Sequence, residues 1–212
     1  KQLFANKNIV INYSGTYTNV VKSALVDIYQ KYNIISVVAA GNNSKQLNKK
    51  DISDSLIYVG ASNQNSELAS FSNYGYELDI LAPGGGDNKA GPYANIVSTL
   101  SENFQMSLVP VSFKVRDSNK NDNLYTSAIG TSYSTPMVSA TIAILLNKNP
   151  GLDIQELKNL IANSGKELAK TNSKTKAKIL SVANTLKQST EKIPLALFSN
   201  EKNPRTVLFV DR

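Results

Sequence analysis

Two short apolar segments near the start of the chain flank a segment with helical spacing, and this order constrains the fold more than any other feature. The apolar segments are Asn8–Tyr13 and Ile34–Ala40. Between them, Thr18–Tyr32 carries apolar side chains at helical spacing, with charged residues elsewhere. Strand, helix and strand within about thirty residues predict a βαβ unit, a parallel sheet and a right-handed crossover. We therefore expect an α/β fold.

Later segments extend this pattern. Leu56–Ser62 and Ile96–Leu100 are short apolar runs that predict further strands. Asp153 predicts the N-cap of a helix that Gly165 ends. The chain has 212 residues, of which 41% are hydrophobic and 18% charged. That length and composition favour one folded domain with a sizeable core.

Two loops follow the first two predicted strands, and both are rich in small polar residues. They are Ser14-Gly15-Thr16 and Gly41-Asn42-Asn43-Ser44. In open parallel sheets, binding and chemistry gather at the carboxyl ends of the strands. Gly41-Asn42 taken alone also fits an ordinary turn, because both residues are favoured there.

A small-residue loop, Gly130–Pro136, leads directly into the uncharged segment Met137–Leu146. Helix-start rules place Thr131 or Ser132 near the N-cap and Pro136 in the first turn. The lack of charge predicts a helix that is buried on all sides. A serine at such a helix start lies beside unpaired backbone N–H groups, which can stabilise an oxyanion. The simpler interpretation is that Ser132 only caps the helix.

The run Gly130-Thr131-Ser132-Tyr133-Ser134-Thr135-Pro136 resembles the nucleophile motif of the subtilisin-like serine proteases, the subtilases. Val38-Ala39-Ala40-Gly41-Asn42 resembles the oxyanion-hole motif of that family, and residues 68–75 and 78–84 resemble two of its structural signatures. The resemblance runs from about Asn8 to Leu186. It implies that Ser132 is the nucleophile and that the Asn42 amide and the Ser132 backbone N–H hold the oxyanion.

The same resemblance implies a binding mode for substrate. An extended peptide or protein substrate would pair with Ser14-Gly15-Thr16 as an added strand. Ala39, Ala40 and Gly41 would form one wall of a specificity pocket with room for a large side chain. Calcium is a metal of the family, but no ligand set can be assigned in this sequence, so we assign no metal site and no cofactor.

Histidine and cysteine are both absent from the chain. The resemblance implies a Ser-His-Asp triad, and neither the aspartate motif nor the histidine motif is present. We therefore expect residues 1–189 to form the C-terminal portion of a subtilisin-like three-layer domain. An N-terminal fragment of the same precursor would supply Asp and His and complete the sheet, which otherwise keeps an exposed strand edge. Residues 190–212 are expected to form an added β-hairpin.

A long connection precedes the nucleophile motif. Leu108–Val115 and Leu124–Ile129 flank the polar cluster Ser118–Asn123 and predict a β-hairpin beside Ser132.

The charge pattern bears on partners and location. The formal net charge is +7, with the densest basic cluster at Lys166–Lys178 and no interleaved aromatic motif. A solvated basic face is therefore favoured over nucleic-acid binding.

The longest apolar runs are too short to span a bilayer. N-glycosylation patterns begin at Asn12, in a predicted strand, and at Asn42, in the predicted active site. A sugar at either position would be incompatible with that structure, which favours a bacterial source. The resemblance implies a secreted or cell-surface protein.

Two other functions remain open. A pseudoprotease that serves as a scaffold or binding module would explain the absent histidine and the departures from the family pattern at Tyr76 and Met137. A nucleotide-binding α/β domain is suggested by Gly84-Gly85-Gly86, but no Gly-Lys-[Ser/Thr] follows, and a flexible turn is the better interpretation.

Overall fold

A computed structural model describes residues 8–86, 94–99, 113–115, 125–170, 172–191 and 207–210. The strands are β1 (Val10–Tyr13), β2 (Ile35–Ala39), β3 (Ile57–Ser62), β4 (Ile80–Pro83), β5 (Ile96–Thr99), β6 (Phe113–Val115), β7 (Tyr125–Ala128) and β8 (Val207–Val210). The helices are α1 (Asn19–Tyr32), α2 (Thr131–Lys148), α3 (Ile154–Ser164) and α4 (Val182–Glu191).

The main sheet has five strands in the order β4-β3-β2-β1-β8, and every pair in it is parallel. The predicted βαβ unit is confirmed, because β1 and β2 pair in parallel with Val10 opposite Ile35 and α1 connects them. The Thr18 hydroxyl accepts a hydrogen bond from the Val21 N–H and caps α1. A left-handed Asn33 ends the helix.

Both faces of the sheet are covered. Every residue of β2 and β3 is buried, as expected for strands between two helical layers. On one face, Val37 and Val59 pack with Val138 and Ile142 of α2 and with residues of α3. On the other face, Val38 and its neighbours pack with Leu25 of α1. The predicted α/β fold with a parallel sheet between helical layers is thus confirmed.

Helix α2 runs through the core but differs in two ways from the prediction. Its N-cap is Gly130, whose φ of 151° suits glycine, and Thr131 is its first helical residue. Pro136 therefore lies beyond the first turn. The prediction of burial on all sides is wrong, because Ala140 is exposed and Ile144 is 41% exposed. These two residues lie four apart and share one side of the helix.

A second, antiparallel sheet has the order β5-β7-β6. The pairing of β6 with β7 confirms the hairpin predicted between Leu108 and Ile129, and β5 adds a third strand. Residues 116–124, which hold the predicted turn, lie outside the described residues. Helix α3 is also confirmed: Asp153 and Glu156 form a reciprocal capping box, and Gly165 is the C-cap.

The strand β8 comes from the segment expected to extend the domain. It pairs in parallel with β1, with Val10 opposite Val207. The other arm of the predicted C-terminal hairpin, residues 193–199, lies outside the described residues, so that hairpin and the division at residue 189 stay predictions. Among the described residues, β8 is the terminal strand on this side of the sheet.

Candidate active site

The carboxyl ends of β1 and β2 meet the start of α2 at one edge of the main sheet. Ser132 is the second residue of α2 and is half-buried, while Asn42 lies in the loop after β2 and is exposed. Because Ser132 is in the first helical turn, its backbone N–H has no intrahelical carbonyl to bond. The N-terminal end of the helix also carries partial positive charge, which suits an anion.

Asn42 is held against the residue that precedes Ser132. Its Oδ1 atom accepts from the Thr131 backbone N–H at 2.8 Å and from the Thr131 hydroxyl at 2.9 Å. The same hydroxyl accepts from the Gly41 N–H at 3.2 Å, so its proton is directed at Asn42. Within the part of the chain that the structure describes, Nδ2 of Asn42 makes no hydrogen bond. The amide is therefore fixed through its oxygen and leaves two N–H donors available.

Ser132 and Ser14 are joined by two reciprocal hydrogen bonds. The Ser132 hydroxyl donates to the Ser14 carbonyl oxygen at 3.0 Å, and the Ser14 hydroxyl donates to the Ser132 carbonyl oxygen at 3.0 Å. These residues are 118 positions apart in the chain. The hydroxyl of Ser132 is thus hydrogen-bonded to the Ser14 carbonyl. Among the described residues, no side chain is placed to take its proton.

Pro136 makes one of these two bonds available. In a regular helix, the N–H of residue 136 would donate to the carbonyl of Ser132, but proline has no N–H. The Ser132 carbonyl is therefore free to accept from the Ser14 hydroxyl. Sequence reasoning assigned Pro136 only the property of being harmless in a first turn. Its position farther into α2 gives it this more specific effect.

A buried asparagine donates a hydrogen bond to the Ser14 side chain. Asn12, which is 2% exposed, donates from Nδ2 to the Ser14 hydroxyl at 3.0 Å. Its Oδ1 atom accepts from the Ser139 hydroxyl of α2 at 2.9 Å. A continuous set of hydrogen bonds therefore links α2 to β1 and holds the Ser14–Ser132 pair in register.

The loop that carries Asn42 is held by Asn73, a residue that sequence reasoning passed over as part of a structural signature. Its Nδ2 atom donates to the Ala40 carbonyl at 2.8 Å. Its Oδ1 atom accepts from the backbone N–H groups of Asn43 and Lys45 at 3.1 and 2.9 Å. Gly41 adopts a φ of 101°, and a Cβ there would lie 2.6 Å from Asn73 Nδ2. The local sequence Ser72-Asn73-Tyr74-Gly75 indicates only a turn and does not reveal this contact.

The remaining residues predicted to bind substrate lie around this edge. Ala39 and Ala40 are buried, and Gly41 is half-buried. The chain bends at Gly15, and the Tyr13 hydroxyl donates to the Thr16 carbonyl at 2.9 Å. The structure thus brings Ser14, Gly41 and Asn42 to the start of α2.

The glycine run after β4 is packed rather than open. Gly84, Gly85 and Gly86 are buried. A Cβ on Gly84 would lie 2.5 Å from the Ser134 hydroxyl oxygen and 2.9 Å from the Gly130 carbonyl. The Gly130 N–H donates to the Gly84 carbonyl at 2.8 Å. Glycine at position 84 therefore allows this loop to support the start of α2.

Two pairs of titratable side chains, Asp79 with Lys158 and Tyr17 with Tyr58, lie near α3 and α1. Asp79 and Lys158 form a largely buried ion pair at 3.2 Å, and Asp79 also accepts from the Tyr58 N–H at 2.7 Å. Burial raises the pKa of Asp79, and the nearby Lys158 ammonium opposes that rise. Tyr17 and Tyr58 share a hydrogen bond of 2.6 Å, and burial raises the pKa of both. None of these groups contacts Ser132.

The described ranges bring together no group of three acidic, histidine or cysteine side chains that could hold a metal ion. The helices within those same ranges lack the length and apolar character of a membrane span.

Family comparison agrees with the motifs and the geometry. The model of the subtilase family, peptidase S8, matches residues 1–185, and the chain therefore belongs to that family. Subtilisin DY of Bacillus licheniformis is 30% identical over 166 residues, which are 75% of this chain and 50% of that protein. Serine protease AprX of Bacillus subtilis strain 168 is 33% identical over 146 residues, 61% of this chain and 30% of that protein.

Solved structures show the same fold. A protease from Pseudoalteromonas arctica PAMC 21717 superposes with a TM-score of 0.64 at 20% identity, covering 85% of this chain and 51% of that one. A lanthipeptide protease gives a TM-score of 0.63 at 18% identity, covering 84% of this chain and 61% of that one. The chain thus spans about half the length of subtilisin DY and of the Pseudoalteromonas protease.

Proposed function

We propose that the complete protein is a serine endopeptidase in which Ser132 is the nucleophile. The observation that carries this proposal is the attachment of Asn42 to Thr131, which fixes a side-chain amide beside Ser132 with its nitrogen unbonded by any of the described residues. Family membership adds support, because the Bacillus subtilis relative AprX is named as a serine protease. Asn42 Nδ2 and the Ser132 backbone N–H would together hold the oxyanion.

The proposed reaction is acyl transfer through an ester of Ser132. A histidine imidazole takes the hydroxyl proton as Oγ bonds to the substrate carbonyl carbon, and the carbonyl oxygen becomes an oxyanion held by the two N–H donors. The C–N bond then breaks, and the imidazolium gives its proton to the leaving amine. The imidazole then takes a proton from water as the water oxygen bonds to the ester carbonyl carbon, and the imidazolium returns that proton to Ser132 Oγ as the ester C–O bond breaks. Oxyanion stabilisation of this kind contributes roughly a hundredfold or more in rate.

A histidine base would come from outside this sequence, which contains no histidine. We propose that an N-terminal segment of the same precursor carries the histidine and the aspartate, and that residues 1–189 form the remainder of its peptidase domain. The exposed side of α2 at Ala140 and Ile144 supports this proposal, because it leaves apolar surface for another segment. When histidine approaches, the Ser132 hydroxyl would leave the Ser14 carbonyl.

Substrate would bind as an extended strand. We propose that the backbone of Ser14–Thr16 pairs with the peptide and that Ala39, Ala40 and Gly41 form one wall of the pocket for the residue before the scissile bond. A secreted or cell-surface location fits such a substrate, and the Bacillus sources of the two relatives support a bacterial origin.

A second candidate function is that of a catalytically inactive binding module. The resting hydrogen bond from the Ser132 hydroxyl to the Ser14 carbonyl favours it, because the described part of the chain supplies no competing acceptor for that proton. The two functions differ in the sequence of the complete precursor: a missing aspartate or histidine motif would support the inactive module.

Cleavage of casein by the complete protein tests the proposal. We expect hydrolysis by the wild type and its loss in Ser132→Ala. Ser23→Ala, a change at an exposed position of α1, serves as the matched control and should keep wild-type activity. Absence of hydrolysis by a folded wild-type protein would reject the endopeptidase, and retained hydrolysis in Ser132→Ala would reject this nucleophile.

A further inference from the structure

Tyr13, the last residue of β1, is folded back over the segment that follows it. Its hydroxyl donates to the Thr16 carbonyl at 2.9 Å, and the chain bends at Gly15 between them. A Cβ on Gly15 would lie 3.0 Å from the Tyr13 hydroxyl oxygen and 3.1 Å from Cζ. The tyrosine ring therefore lies directly against Gly15, where a side chain would force it to shift.

Two of the three carbonyl groups in Ser14-Gly15-Thr16 thus accept hydroxyls of the protein itself. The Ser14 carbonyl accepts from Ser132, and the Thr16 carbonyl accepts from Tyr13. A peptide that adds as a strand draws its affinity from main-chain hydrogen bonds to such groups. In this resting arrangement, the segment is bent and part of its bonding capacity is already used.

We propose that Tyr13 is a specificity-determining residue that competes with extended substrates for the Thr16 carbonyl. This inference rests on the endopeptidase function proposed above. A substrate must displace the Tyr13 hydroxyl and straighten the bend before it pairs along the whole segment. The hydrogen bond between Tyr13 and Thr16 thereby lowers the affinity for extended peptides and has no effect on ligands that stop at Ser14.

The two hydrogen bonds to this segment break at different stages. The Ser132 hydroxyl leaves the Ser14 carbonyl in every turnover, because Ser132 is the nucleophile. The Tyr13 hydroxyl leaves the Thr16 carbonyl only for substrates that reach it. Residues two apart in an extended strand are separated by about 6.6 Å. A substrate whose reacting residue lies opposite Ser14 therefore needs further residues on its N-terminal side to meet Thr16.

Kinetics of the Tyr13→Phe variant of the complete protein test this inference with two substrates. The short substrate is N-acetylalanine p-nitrophenyl ester, and the long one is acetyl-tetraalanine p-nitroanilide. We expect kcat/KM for the long substrate to rise about fivefold, the value of one net hydrogen bond, with no change for the short one. Tyr32→Phe, at the exposed end of α1, is the matched control and should change neither.

An unchanged or lower kcat/KM for the long substrate would overturn the inference, as would an equal rise for both substrates. If the wild type cleaves neither substrate, the proposed function fails, and amide hydrogen exchange then decides on Tyr13 separately. Residues 14–18 should exchange faster in Tyr13→Phe than in the wild type and in Tyr32→Phe. Equal exchange in all three proteins would overturn the role of Tyr13.

Discussion

The side-chain oxygen of Asn42 accepts two hydrogen bonds from Thr131, one from its backbone N–H and one from its hydroxyl. Both partners are donors, so the orientation of the amide follows: the oxygen faces α2 and the nitrogen is left for another acceptor. That acceptor, in the proposed function, is the oxygen of a substrate carbonyl as it gains charge.

Replacing Asn42 should therefore affect the chemical step more than binding. We expect Asn42→Ala to lower kcat by about a hundredfold to a thousandfold with little change in KM, the range known for such donors in a subtilisin. Asn43→Ala is the matched control, because the described residues bond Asn43 through its backbone N–H and not through its side chain. Steady-state kinetics on a peptide amide measure both. Equal effects of the two substitutions would contradict the role of Asn42.

Pro136→Ala should raise the stability of the protein and lower its activity. Alanine restores an N–H that competes for the Ser132 carbonyl, now bonded by the Ser14 hydroxyl. We expect the free energy of unfolding to rise by up to about 3 kcal/mol, the propensity difference in a helix interior. We expect kcat/KM to fall about fivefold, because Ser14 loses a hydrogen bond that orients Ser132.

Denaturant unfolding and peptide kinetics on the same samples test this pair of effects. Pro150→Ala is the control, since Pro150 lies beyond the end of α2 and is exposed. Wild-type kcat/KM in Pro136→Ala would contradict the proposal that the hydrogen bond from the Ser14 hydroxyl to the Ser132 carbonyl orients Ser132.

Asn73 should be important for the shape of the loop that carries Asn42. Asn73→Ala removes one donor and one doubly used acceptor, and we expect a loss of about 2–3 kcal/mol in the free energy of unfolding. Asn73→Asp keeps the acceptor but replaces the donor to the Ala40 carbonyl with a carboxylate oxygen, so it should also lose stability in unfolding measurements. Asn65→Ala, at an exposed turn, provides the control. A neutral Asn73→Ala would contradict the proposed support.

The Asp79–Lys158 pair should matter for stability rather than chemistry. Removing one partner leaves a largely buried charge, and we expect Asp79→Ala to cost about 3 kcal/mol at neutral pH. The exposed pair of Asp27 with Lys31 is the control, and Asp27→Ala should cost less than about 0.5 kcal/mol. Similar costs in chemical denaturation would contradict the burial argument.

The same carboxyl gives a pH dependence of defined sign. Burial raises the pKa of Asp79 above its unfolded value of about 3.9, so the folded protein binds this proton more readily than the unfolded chain. The resulting stability is fully present below the unfolded pKa and is lost as pH rises through the folded pKa. The wild type should therefore gain stability relative to Asp79→Asn as pH falls from about 7 to about 4. A constant difference would contradict the raised pKa.

Local signals in the sequence were sufficient for much of the fold. The spacing in Thr18–Tyr32, the capping residues of α3 and the apolar strands depend on neighbours in the chain, and the structure confirms them. The order of strand, helix and strand then sets parallel pairing. That pairing explains why loops after β1 and β2 meet at one edge.

Contacts between distant segments were not predictable in this way. The bond between Ser14 and Ser132 spans 118 residues, and that between Asn73 and Ala40 spans 33. The exposure of Ile144 depends on what packs against α2, and its apolar side chain predicted the opposite. The role of Asn42 was inferred from resemblance, since Gly41-Asn42 alone favours an ordinary turn.

The most direct test of the central claim is mass spectrometry of the complete protein after treatment with a fluorophosphonate, which phosphonylates an activated serine. We predict a single adduct on Ser132, its absence in Ser132→Ala and slower formation in Asn42→Ala. A folded protein that forms no adduct, or forms it on another residue, would contradict Ser132 as the nucleophile of a serine endopeptidase.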